Sequence, residues 1–64
     1  MIYMNTKEPI NFHKVIGTRV YKWIPNARLW VRHSAPRKLR QLELGLTTGT
    51  YKLLSQAEFE AITK

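Results

Sequence analysis

A small α+β domain, with an antiparallel sheet of two hairpins and a short C-terminal helix packed on one face, is the architecture the sequence predicts. Three observations predict it. Two runs rich in β-branched and aromatic residues, Val15 to Ile24 and Ala27 to His33, flank the turn residues Pro25-Asn26. A second pair, Leu42 to Leu46 and Tyr51 to Leu54, flanks Thr47-Thr48-Gly49-Thr50. Ser55-Gln56-Ala57-Glu58 then has the spacing of a capping box, in which the serine oxygen accepts from the third helical amide and the glutamate reaches back to the serine amide.

In chain order, Met1 to Pro9 has little pattern and reads as a lead-in, open to flexibility or to a short edge strand from Ile2 and Met4. Ile10 to Ile16 fits neither the helical nor the strand period, so a short helical turn near Asn11 and an extended segment both stand. Val15 to Ile24 reads as one strand, with Gly17 marking a bulge or a close backbone approach. Residues 36–44 support two readings. As a helix, Ser34 caps it, Pro36 sits in its first turn, and Leu39, Leu42 and Leu46 recur at helical spacing. As a strand, Leu42, Leu44 and Leu46 alternate with Glu43 and Gly45, and the run into the Thr-rich turn favours this second reading. From Ser55 to Ile62 a short helix follows, with Leu54 and Phe59 placed for a hydrophobic staple. So short a helix persists only when packed, and the aliphatic face of the sheet is its expected seat.

Strand alternation sorts the hairpin side chains. Residues two apart share a face, so Ile16, Val20 and Ile24 fall together, as do Ala27, Leu29 and Val31. If both aliphatic sets point inward, the outward surface carries Arg19, Tyr21, Trp23, Arg28, Trp30 and Arg32: aromatic rings rimmed by guanidinium groups. The competing arrangement packs Tyr21, Trp23 and Trp30 under the C-terminal helix or a second copy, with the arginines fringing them. In a domain this small at least one tryptophan is expected in the core.

Charge sets the class of partner. The 64 residues carry a net charge of +7, and Lys14 to Lys52 holds nine bases against the single acid Glu43. An uncompensated field of that sign on one small basic domain, residues 1–64, attracts polyanions, of which nucleic acid is the commonest. Exposed tryptophan and tyrosine can stack on bases, arginine contacts phosphates and guanine, and a two-stranded ribbon fits the major groove. Arg37, Lys38 and Arg40 form a second basic block suited to gripping phosphates.

Other classes find less support. No HExxH, GxSxG, P-loop or dinucleotide pattern is present, and a non-enzymatic role is expected. His13 and His33, with no cysteine and scattered carboxylates, are too few for a metal site, and neither metal nor cofactor is expected. The bases around His33 favour its neutral form. No apolar run reaches the length of a membrane span and no signal peptide is visible, which suits a cytoplasmic protein with no membrane partner. The expected function is that of a DNA-binding accessory or regulatory factor, with DNA favoured over RNA. The alternative is a module that docks on an acidic surface of a larger enzyme, since Trp, Tyr and Arg also dominate protein interfaces. Self-association through an exposed sheet edge or through Ile2-Tyr3-Met4 is compatible with either.

Overall fold

Gly17 and Thr18 decide how the β-rich run from Val15 to Ile24 folds. In the computed structural model, which describes residues 2–35 and 37–64, Ile16 pairs directly with Arg19, so the two residues between them form a tight hairpin loop. Gly17 has φ +64°, the left-handed value that the first position of a type II′ loop demands. The run is therefore two strands, and Gly17 is a turn residue where a bulge was expected.

The elements are β1 Ile2–Asn5, β2 Phe12–Ile16, β3 Arg19–Ile24, β4 Leu29–His33, α1 Lys38–Thr48, β5 Tyr51–Leu54 and α2 Gln56–Thr63. All five strands join in one antiparallel sheet, ordered β4-β3-β2-β1-β5. Residues 2–5, read as a lead-in or an edge, form an interior strand paired with β2 on one side and β5 on the other. Ile2-Tyr3-Met4 is thus already hydrogen-bonded on both edges and cannot serve self-association. Asn11 belongs to no helix. Its amide donates to the Glu8 carbonyl at 2.8 Å, and its own carbonyl accepts from Asn5 at 3.0 Å, closing the β1–β2 connection.

Residues 42–46 are helical, which overturns the strand reading and with it the second hairpin. Leu42 is fully buried with Leu39 and Leu46 beside it, whereas Leu44, which a strand would have buried, is 62% exposed. Gly49, at φ +83°, ends α1 in the left-handed conformation usual after a helix. Topology gives the reason. β4 and β5 are parallel and lie at opposite edges, about 19 Å apart at the usual strand spacing. An 11-residue helix is about 16 Å long and carries the chain across that gap. The N-cap is Arg37, with no side-chain hydrogen bond, and not Ser34. Placement of Pro36 falls outside the described residues.

The C-terminal helix follows its predicted signals. Ser55 Oγ accepts from the Glu58 amide at 3.1 Å, and Glu58 Oε1 accepts from the Ser55 amide at 2.9 Å. Hydrogen bonding from Ser55, its backbone amide first and its side chain second, holds the Glu58 carboxyl below its usual range. Leu54 and Phe59, at the two staple positions, share one apolar cluster. The face is the unexpected part: α2 packs on the aromatic side of the sheet, not the aliphatic one. Leu54 decides this. It lies opposite Ile2, which pairs with Lys14, which pairs with Tyr21, so a helix entering beside Leu54 meets the face that carries Tyr21 and Trp23.

Two small cores result, one per face. Under α2 lie Ile2, Phe12, Trp23, Leu54 and Phe59, with Met4 and Trp30 against them. Under α1 lie Val20, Leu42 and Tyr51, with Tyr3, Val15, Leu39 and Leu46. Ile16, expected beside Val20 and Ile24, stands across the Gly17 turn on the α2 face, 57% exposed.

Gly45 marks the closest approach of α1 to the sheet: a Cβ there would overlap Cδ2 of the Tyr51 ring. Helix propensity alone favours alanine at this position by about 1 kcal/mol. Overpacking against a buried ring costs about 1–3 kcal/mol, so net of that gain Gly45→Ala should lower stability by up to about 2 kcal/mol. Urea unfolding checks it, and a midpoint raised by the substitution would mean that the ring is not seated there.

Candidate nucleic-acid interface

On the α2 face the strand registers lay side chains in three rows. Nearest the β3–β4 turn run Trp30, Trp23, Phe12 and Met4; then Arg32, Tyr21, Lys14 and Ile2; then Arg19 and Ile16. The first row is covered. The Phe59 ring stands edge-on to Trp23 at 5.1 Å and to Phe12 at 5.0 Å, and tilted against Trp30 at 5.2 Å. Trp23 is consequently core, while Trp30 is half-buried with its ring 5.2 Å from that of Trp23. Aromatic burial of this size is worth several times a cation–π contact, which explains why the rings go under the helix.

Beyond the helix the third row and the Arg32, Tyr21 and Lys14 part of the second stay open, while Ile2 at the end of the second is buried. Tyr21 is half-exposed between Lys14 and Arg32, its cross-strand partners, and Arg19 is exposed one row further on. Lys14 leans over the covered row: its Nζ lies 4.7 Å from the Trp30 ring centroid and 5.8 Å from that of Tyr21. Sequence reasoning left Lys14 out of the surface. Once β2 is known to start at Phe12, the alternation Phe12, Lys14, Ile16 puts it there.

Arg28 is elsewhere. It closes the β3–β4 turn at φ +52°, a left-handed conformation costing a non-glycine residue roughly 1–2 kcal/mol. Its Nη1 donates to the Thr63 carbonyl at 2.7 Å, and its guanidinium carbon lies 6.0 Å from the Trp23 ring centroid. A cation on the last carbonyls of α2 is favourably placed, so Arg28 staples the turn to the helix end. It is separated from Arg19 and Arg32 by the covered row.

The second basic block divides as well. Arg37 and Arg40 are exposed at the start of α1. Lys38 instead turns inward, where its Nζ donates to the Tyr51 hydroxyl at 3.1 Å. Three bases in a first turn with no acid oppose the helix dipole, an arrangement that an anion would relieve. A groove of about 400 Å³, lined by Thr18, Arg32, His33, Ser34 and Leu39, joins the β2–β3 turn, the end of β4 and the start of α1. Arg19, Tyr21 and Arg32 thus share the open part of the α2 face, Arg37 and Arg40 are exposed where α1 begins after β4, and Trp23, Arg28 and Lys38 are engaged elsewhere.

On the α1 face lies His13, weighed from the sequence only as a metal ligand. His13 is 2% exposed, its ring 5.6 Å from that of His33 and edge-on to Tyr51 at 6.1 Å, and its Nδ1 has no hydrogen-bond partner. Burial first, then Lys38, His33 and Lys22, push its pKa down to about 4. His33 is lowered too, by burial and then by Lys38 and Lys22, while its Nδ1 accepts from the Ala35 amide at 3.3 Å. Among the described residues no three His, Cys, Asp or Glu side chains group to hold a metal ion, and no helix is long and apolar enough to cross a membrane. Compared with family models, curated proteins and solved structures, the chain matches none. Function is therefore argued from the chemistry of this surface.

His13 makes stability depend on pH. Its folded pKa lies below the unfolded value of 6.5, so the unfolded chain takes up the proton first and stability, complete above that value, falls as pH falls toward 4. By pH 5 the loss should be roughly 2 kcal/mol, before the carboxylates titrate. His33 adds to it with the same sign. Urea unfolding at several pH values between neutrality and 5 should show a steeper decline in the wild type than in His13→Phe; equal slopes would assign the effect to other groups.

Proposed function

We propose that this protein binds nucleic acid, duplex DNA before RNA, through the open half of its α2 face and the adjoining start of α1, as an accessory or regulatory factor. The observation that carries this reading is the cluster of Lys14, Arg19 and Arg32 around a single half-exposed tyrosine with no acid in the open rows, next to the exposed Arg37 and Arg40 where α1 begins after β4. Three of the four acids are placed apart, Glu8 in the β1–β2 connection and Glu58 and Glu60 on α2; Glu43 lies one helical turn from Arg40 on α1.

Cations at this density release counterions from a phosphate backbone, which supplies affinity without reading sequence. With Trp23 in the core, the surface offers one tyrosine and the edge of Trp30 for stacking. Cations thus outnumber free aromatic faces, which favours the backbone of a duplex over splayed single-stranded bases.

Fluorescence anisotropy of labelled duplex DNA, single-stranded DNA and hairpin RNA, titrated at about 50 and about 200 mM salt, tests the reading. Duplex DNA should bind tightest, and Arg19→Ala with Arg32→Ala should reduce the slope of log affinity on log salt by about 2. Arg28→Ala should lower stability slightly and leave that slope unchanged, since its guanidinium is committed to Thr63. No binding to any polymer at the lower salt would overturn the reading and turn attention to acidic protein surfaces.

A further inference from the structure

The sheet has two edges, and they are unequal. Both helices pack principally against β5, flanking that edge from either side. β4 is the bare edge. On its α1 face Leu29 is 45% and Val31 38% exposed, beyond the reach of α1, with Ile24 half-buried opposite Leu29. Edge strands are normally guarded by proline, a bulge, lysine or an inward charge. Leu29-Trp30-Val31-Arg32-His33 has no such guard except Arg32.

We propose that this edge is occupied by a second copy of the chain, pairing antiparallel along β4 about a two-fold axis at Val31. Two-fold symmetry in an antiparallel ribbon requires a residue and its partner to share a face, so the axis must pass through a residue of β4. An axis at Arg32 would set two arginines directly opposite each other, a like-charge pair, and one at Trp30 would pair only Leu29, Trp30 and Val31; both registers leave part of the strand unpaired. Centred on Val31, all five residues pair. Val31 meets its own copy, Leu29 meets His33, and Trp30 meets Arg32 twice, each a cross-strand cation–π pair on the α2 face.

The axis stands perpendicular to the sheet, so the dimer is one ten-stranded sheet with both open basic surfaces on the same side. Each copy carries +7, so association is opposed by repulsion that salt screens. The dimer tightens as salt rises, the reverse of the trend for phosphate binding. Pairing does not depend on the nucleic-acid reading, and the failure of one leaves the other standing.

Sedimentation equilibrium without nucleic acid, between about 0.1 and about 0.5 M salt, is the first test. The wild type should be a dimer that tightens with salt, and a monomer at all concentrations up to the millimolar range would overturn the proposal. Val31→Lys and Val31→Asp, changes at an exposed position, should each be monomeric, and their mixture should restore a dimer of one copy of each. Dimers that survive either substitution, or a mixture that stays monomeric, would place any association elsewhere. The chain contains no cysteine, so Val31→Cys gives an independent check under mild oxidation. It should cross-link far faster than Leu44→Cys, a more exposed site on α1, and equal rates would overturn the two-fold register.

Discussion

Two helices, of 11 and 8 residues, have both faces of a five-stranded sheet to cover, and they fall short. A sheet strand buries one side chain in two on each face, so a single covered face would leave the aromatic or the aliphatic set in water. The chain places one helix on each side and accepts partial cover on both. What stays open is fixed by where the helices enter. Because α2 starts beside Leu54 and ends at Arg28, it shields the row containing Trp23 and leaves Tyr21, Lys14 and Arg19 uncovered. Because α1 spans from the end of β4 to the start of β5, it shields Val15 and Val20 and leaves Leu29 and Val31. The basic surface and the bare edge are both remainders of the same shortage of helix.

The polar interior follows from the same geometry. α1 brings Lys38 under its own axis to Tyr51, within the field of two histidines. Neutral His13 fits between Tyr51 and His33 as an aromatic side chain would, but charging it there means placing a third cation beside Lys22 and Lys38. Burial, reinforced by Lys38, His33 and Lys22, thus keeps the histidine of this core neutral.

The local signals at the C-terminal helix were accurate, those at Gly17, Ser34 and residues 42–46 were misleading, and long-range ones were absent. The capping box at Ser55 and the staple between Leu54 and Phe59 depend on residues within five positions, and both form. The alternation that groups Arg19, Tyr21 and Trp23 on one side of β3 and Trp30 and Arg32 on the same side of β4 also holds, because two adjacent strands decide it. The Gly17-Thr18 loop was hidden inside a run whose flanking residues all favour strands. The Leu39 to Leu46 segment carries both periods, and only the distance between the edges β4 and β5 selects the helix. Whether α2 meets aromatic or aliphatic residues depends on three successive registers through β1 and β2, and no short stretch contains that information. Trp23 was placed on the surface for this reason, and Lys14 was left off it.

The pairing of β1 with β5 joins Ile2 to Leu54 and Asn5 to Tyr51, contacts separated by most of the chain. Hairpins β2–β3 and β3–β4 can zip locally, but the strand that begins the chain has to wait, on one of its edges, for residues 51–54. Loop closure over such a span costs entropy before any burial repays it. Of the strand pairings, this one carries the largest loop-closure cost. During synthesis Ile2 and Phe12 remain without Leu54 and Phe59 until the end of the sheet has been made, and for that interval the aromatic face has no lid.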